Sequence, residues 1–169
     1  MRVCVNVSAR QFRDRSFAAR VAAILGESGL AAGHLELELT ESLLMADVRQ
    51  AVATMTELRD IGVSLSIDDF GTGYSSLAML KTLPVARLKL DQSFVRDIAD
   101  DENDRAIVAA VISLGQKLNL RVLAAGVESA EQLAFLRANH CDEMQGQLVS
   151  APLNADGLAG LLRQNYRFG

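Results

Sequence analysis

Asn6, Glu38, Asp68 and Asp69 are the side chains of this sequence best placed to do chemistry together. All four fall in or just after short runs where apolar and polar residues alternate, and successive strand side chains point to opposite faces. The first run puts Cys4, Asn6 and Ser8 on one side and Val3, Val5 and Val7 on the other. The second sets Glu36, Glu38 and Thr40 against Leu35, Leu37 and Leu39, and the third sets Ser64, Ser66 and Asp68 against Val63, Leu65 and Ile67. In the fourth, Arg87, Lys89 and Asp91 flank Leu88 and Leu90. One amide and three carboxylates form an all-oxygen donor set, which selects hard cations such as Mg²⁺ or Mn²⁺, whereas zinc usually recruits His or Cys. The plainer reading is a buried ionic network in which Arg87 and Lys89 neutralise the acids, although burying many charges for stability alone is a poor exchange for apolar packing.

The elements that must position these residues read as an α/β chain. Strands are expected at Arg2 to Ser8, Leu35 to Thr40, Val63 to Asp68, Arg87 to Asp91, Arg121 to Ala125 and Gln145 to Val149. Helices are expected near Phe17 to Ser28, Asp47 to Ile61, Ser75 to Thr82, Asn103 to Leu118, Ala130 to Ala138 and Asp156 to Gln164. Strand and helix alternate from end to end, the signature of a parallel sheet. Ser129 followed by Gln132 makes a capping box, and the acidic group Asp100, Asp101, Glu102 and Asp104 precedes or opens a helix, where the dipole favours it. In a barrel the aliphatic sides pack beneath helices, and the polar sides converge on the interior with their last members at the C-terminal mouth. An open doubly wound sheet would not turn polar residues of four neighbouring strands toward one another. A barrel or part of one is therefore expected.

Composition narrows the partners. The 169 residues suit one domain, and the net charge of -4 without a basic run argues against duplex nucleic acid. No apolar run approaches the ~20 residues of a membrane span, and no signal-peptide h-region is present. Cys4 and Cys141 fit neither a metal spacing nor a disulfide framework. They read as inert buried thiols of a cytoplasmic protein.

Several segments, in order, resemble motifs of the EAL domain family. They are Asn-Val-Ser at 6 to 8, Glu-Leu-Glu-Leu-Thr-Glu-Ser at 36 to 42, Asp-Asp-Phe-Gly-Thr-Gly-Tyr-Ser-Ser-Leu at 68 to 77 and Leu-Lys-Leu-Asp at 88 to 91. Ala-Gly-Val-Glu at 125 to 128, Gln-Gly at 145 to 146 and Ser-Ala-Pro-Leu at 150 to 153 complete the set. The resemblance implies a modified TIM-type (β/α) barrel that linearises cyclic di-GMP to pGpG with Mg²⁺ or Mn²⁺. It implies that residues 1–169 form a partial EAL domain, holding the third to eighth strands as an incomplete barrel.

By the same resemblance Asn6, Glu38 and Asp68 would hold one metal ion, and Asp69 would help hold a second and face the substrate. Lys89 would sit beside the attacking water and the scissile phosphate, with a counter-ion to the carboxylates as its plainer role. Glu41 would tether the loop after the third strand, its alternative being an ordinary acid at a helix start. Glu128 and Gln145 would support the rim, Gln145 toward substrate, unless Gln145 is an ordinary strand-end amide. A homodimer or larger assembly is expected, because six strands of eight leave two sheet edges, and the family-like dimer surface falls around Tyr74 to Leu83 and the helix from Asn103.

The chain departs from the family pattern. The early strand with the Glu-Ala-Leu motif is not found, nor the arginine that follows it; Ala125 replaces a glutamate and Gln147 a tyrosine. Hydrolysis by this chain alone is therefore not expected. A cyclic di-GMP receptor or a protein-interaction module in signalling is the alternative.

Overall fold

A computed structural model describes residues 2–73 and 77–163, the side chains of 77 and 78 excepted. Tyr74, Ser75 and Ser76, which open the expected helix and dimer segment, and Gln164 lie outside the described residues.

Six strands form one parallel sheet in sequential order: β1 Val3–Asn6, β2 Leu35–Thr40, β3 Ser64–Phe70, β4 Arg87–Leu90, β5 Arg121–Ala125 and β6 Glu143–Gln145. Together with the intervening helices they make a half-barrel, the α/β fold expected from the alternation. The long helices are α2 Phe17–Ser28, α4 Val48–Ile61, α7 Glu102–Lys117, α8 Ala130–Ala138 and α9 Ala155–Arg163. The short ones are α1 Ala9–Phe12, α3 Glu41–Met45, α5 Leu77–Leu80 and α6 Gln92–Arg96, with a 3₁₀ turn at Ala32–His34. Of the short elements only α5 falls within an expected helix. The others span five residues or fewer, too short for a hydrophobic period to register.

The aliphatic sides of β2 to β5 form the core. Leu39, Ile67, Leu88, Leu90 and Val122 are fully buried against Met55 and Leu58 of α4 and Val108 and Ile112 of α7, among others. Local chemistry sets the helix starts: Ser129 and Gln132 form the capping box of α8, and Asp101 accepts from the amides of Asn103 and Asp104 at the start of α7.

Three expectations need correction. The sixth strand is Glu143–Gln145, not Gln145 to Val149. Pairing with β5 is complete once Gln145 has met Ala125, after which Gly146 turns the chain back against Val127. The outer side of β1 is only partly packed: on this edge strand Val3 and Val5 are 48% and 43% exposed, while Val7 just beyond its end is buried. Cys4, on the opposite, polar side of the same edge strand, is also exposed, not buried.

Candidate active site at the open end of the half-barrel

Register places the acids. Asn6 lies opposite Glu38, Glu38 opposite Ser66, and Thr40 opposite Asp68, so the polar series of β1 to β3 climb in step toward the C-terminal ends. Between Ile67 and Phe70 the β3–β4 register shifts, and Asp69 takes φ 53°. Such an irregularity re-aims side chains at the end of a strand. Here it lets two consecutive carboxylates, Asp68 and Asp69, line the same cavity.

The polar side forms two layers. The lower is ionic: Arg87 bonds Glu36 with one guanidinium nitrogen and Glu143 with the other at 2.7 Å. Arg121 also reaches Glu143 at 3.0 Å, and Arg2 reaches Glu36 at 3.0 Å. Burial lowers the Arg87 pKa, but the charges of Glu36 and Glu143 outweigh it and raise the value above the ordinary one. The plainer reading of the acids thus describes the lower layer.

The upper layer is different. Lys89 Nζ donates to Glu38 Oε2 at 2.7 Å and to Asp68 Oδ2 at 3.1 Å, with all three side chains largely buried. Burial pulls the Lys89 pKa down, but Glu38, by hydrogen bond and charge, and then Asp68 raise it above the ordinary value. Beside them burial, and then the charges of Asp68 and Asp91, raise the pKa of Asp69. Burial also acts upward on Asp91, but its hydrogen bonds, led by that with Ser93, bring its pKa below the ordinary value.

A cavity of about 610 Å³ opens over this layer and is lined by Asp68, Asp69, Lys89, Glu128 and Gln145 among the expected residues. Asn6 and Glu38 stand outside its lining, Asn6 exposed and Glu38 buried behind Lys89. Glu41 opens α3, is 3% exposed, and accepts the Gly71 N–H at 3.4 Å. A Cβ on Gly73 would come within 2.7 Å of Glu41 Oε1, so the loop after β3 closes on this carboxylate. Glu128 is an exposed rim residue, and its backbone N–H donates to Gln132 at 2.7 Å. Asp91, Gln92 and Gln147 also line the cavity and were not among the expected site residues. Asp91 and Gln147 each carried a signal, Asp91 as the acid that ends the Leu-Lys-Leu-Asp segment and Gln147 as the residue after Gln-Gly that replaces the family's tyrosine; Gln92 carried none.

The fit to a metal ion rests on the donors. Among the described residues no three His, Cys, Asp or Glu side chains close on one point. Two carboxylates do, Glu38 and Asp68, and the point they share is held by a cation, Lys89 Nζ. This donor chemistry suits a hard divalent ion bound through few protein oxygens with water completing its shell.

The EAL domain family matches residues 1–152. The chain is 50% identical over 168 residues to the cyclic di-GMP phosphodiesterase NbdA of Pseudomonas aeruginosa, covering 99% of this chain and 21% of that protein. It therefore spans about a fifth of that relative's length. Among solved structures it is similar to the PaMucR phosphodiesterase in complex with c-di-GMP, with 43% identity, TM-score 0.90 and coverage of 93% of this chain and 64% of that one. It is also similar to the manganese and cy-diGMP complex of Klebsiella pneumoniae BlrP1, with 30% identity, TM-score 0.82 and coverage of 89% and 38%. A parallel half-barrel whose paired acids and lysine meet at its C-terminal end, matched along nearly its whole length by these proteins, belongs to the EAL domain family.

Proposed function

We propose that this chain is part of a cyclic di-GMP phosphodiesterase of the EAL type, residues 1–169 supplying the third to eighth strands of its barrel. The convergence of Glu38 and Asp68 on Lys89 at the mouth of the half-barrel is the observation that supports this reading most. In the reaction water adds to phosphorus and one P–O bond of the ring breaks, opening the cyclic dinucleotide to pGpG. Asn6, Glu38 and Asp68 would hold Mg²⁺ or Mn²⁺, with Asp69 toward a second ion, and such a pair supplies an acidified water and a clamp on the phosphodiester. Lys89 stays protonated beside its two carboxylates and offsets charge that builds on the phosphoryl oxygens. Glu41 positions the loop bearing Asp69 through the Gly71 amide, while Glu128 and Gln145 line the rim where substrate enters.

Ala125 gives a specific reason for a second reading, a receptor that binds cyclic di-GMP without cutting it, because a methyl group lines the cavity where the family pattern carries a glutamate. Titration of the chain with cyclic di-GMP, with and without Mg²⁺ or Mn²⁺ and with pGpG followed by chromatography, separates the readings. Binding without turnover is expected of residues 1–169, and turnover of a chain that also supplies the early-strand Glu and Arg. Absence of binding in both would overturn the proposal.

The reading includes self-association and a reducing, cytoplasmic setting. Among the described residues β1 and β6 are unpaired edges of the sheet; these edges and the exposed Val3 and Val5 favour a second copy, and Cys4 and Cys141 are free thiols. No helix among the described residues is long and apolar enough to cross a membrane. A homodimer is expected by light scattering, and a monodisperse monomer would remove this part of the reading.

A further inference from the structure

The Gln132 side chain is buried and joins three pieces of the chain. Its Oε1 accepts the backbone N–H of Glu128 at 2.7 Å and that of Ser129 at 2.9 Å, while its Nε2 donates at 3.1 Å to the carbonyl of Arg96, the last residue of α6. A capping box needs only the bond to the cap residue, here Ser129. The capping box of α1 shows the difference. There Gln11 is exposed, and among the described residues its side chain bonds Ser8 alone.

The pieces that Gln132 joins are walls of the cavity. The loop 126–129 between β5 and α8 contributes Gly126 and Glu128, and the start of α6 contributes Gln92 and its cap residue Asp91. The walls meet closely: Gly126 takes φ 77°, and a Cβ there would lie 2.6 Å from Gln92 Cβ. On its other flank the loop is fastened to the β6 end, where Val127 N–H donates to the Gln145 carbonyl and Leu148 N–H to the Val127 carbonyl, at 3.0 Å each. Toward α6 its tie is the Gln132 side chain.

We infer that Gln132 is a positioning residue, which fixes the Glu128 rim against the Asp91 end of α6 and acts on the bound ligand through Glu128. This rests on the reading that the cavity takes cyclic di-GMP. A loop already held on both flanks loses little freedom when a ligand meets it, whereas a loop freed on one flank must be ordered at the expense of affinity. The task requires a carboxamide, which accepts and donates at once. A carboxylate of the same length only accepts, and an aliphatic side chain does neither.

Binding of cyclic di-GMP in Mn²⁺ to the chain, to Q132L, Q132E and E128Q, and to E128Q combined with Q132L, with circular dichroism to confirm folding, tests this. Q132L should weaken binding about tenfold, the effect of a rim that must be ordered by the ligand. Q132E keeps both bonds to the loop amides, and so the cap of α8, but cannot donate to the Arg96 carbonyl; it should fold and still bind severalfold more weakly. E128Q should also weaken binding, and adding Q132L to it should cost less than about twofold, since a residue that acts through Glu128 then has nothing left to position. Full affinity in folded Q132E or in E128Q, or an equal loss from Q132L in both backgrounds, would reduce Gln132 to a helix cap and overturn the positioning role while the cyclic di-GMP reading stands. If the unsubstituted chain does not bind cyclic di-GMP, both fall.

Discussion

Lys89 Nζ reaches Glu38 Oε2 at 2.7 Å across the whole width of β3, which lies between their strands, and on the way meets Asp68 at 3.1 Å. The ammonium holds the position that best neutralises both acids. A divalent ion approaching Glu38 and Asp68 therefore has this bound cation as a competitor.

Lys89→Met should tighten Mn²⁺ binding severalfold in calorimetry while weakening cyclic di-GMP binding, because the competitor and the phosphate's counter-charge are the same group. Asp68→Ala should abolish ion binding. The sign with pH follows from the raised Lys89 pKa: its contribution to stability is complete below the ordinary lysine value of about 10.4 and is lost as pH rises through the higher folded value. The metal-free chain should lose melting temperature in that alkaline range, and Lys89→Met should lose less of it there. Weaker Mn²⁺ binding by Lys89→Met would show that the lysine helps to build the ion site instead of competing for it.

The lower layer should answer to stability, not to ligands. Glu36 is 0% exposed, and Arg87→Ala would strand it with Arg2 alone, a buried charge whose loss of partner costs about 3–5 kcal/mol. The double change Arg87→Met with Glu36→Leu should recover most of that loss in urea unfolding, since an apolar pair of similar volume carries no unpaired charge. Equal destabilisation by the single and double variants would mean that shape, not charge, sets the cost.

These two layers show what alternation alone can and cannot say. Period-two patterning put Asn6, Glu38, Asp68 and Lys89 on one face because β1 to β3 keep strict parity and β4 keeps it with β3 as far as Ile67 and Leu88. The same parity could not tell the ionic layer of Glu36 and Arg87 from the layer above it, which differs only in height along the strand. The end of β3 was placed two residues early, at Asp68, because its last turn of pairing crosses a register shift that breaks the alternation. β6 was misplaced because three residues, Glu143, Met144 and Gln145, carry no recognisable period, and the apolar pair Leu148 and Val149 drew the strand past Gly146. In the sequence Gln147 is legible as a departure from the family pattern after Gln-Gly, but not as a residue of the cavity. Its place in the cavity depends on how Gly146 packs on Val127, a contact between segments 19 residues apart, the difference of 146 and 127.

Gly146→Ala should be among the most damaging small substitutions in the chain. Its Cβ would lie 2.1 Å from the Val127 oxygen and 2.3 Å from the Val127 nitrogen, and backbone on both sides cannot rotate away as a side chain could. The two hydrogen bonds that fasten residues 145–148 would have to open, at about 1 kcal/mol each before any strain is counted. A loss of at least about 2 kcal/mol is expected in denaturant unfolding, together with weaker cyclic di-GMP binding. Near-wild-type stability would mean that the β6 end shifts freely.

The two thiols should separate cleanly under alkylation. Cys141 is mostly enclosed, donates to the Val122 and Glu143 carbonyls at 3.4 Å each, and has its pKa pushed by burial up to about 11. Cys4 is exposed on the edge strand; its pKa is also raised, first by burial and then by Glu36 and Glu38, yet reagent can reach it. Since only the thiolate attacks, at about pH 8 the Cys141 thiolate is roughly a thousandth of the population, and access is restricted as well. Iodoacetamide should therefore label Cys4 alone in the native chain and both thiols in urea, as read by mass spectrometry of peptides. Raising the pH should increase native Cys141 labelling about tenfold per unit until its pKa is approached, provided the fold is retained. Prompt native labelling of Cys141 at neutral pH would mean that β6, whose Glu143 carbonyl accepts its hydrogen, opens from the sheet far more often than its pairing with β5 implies.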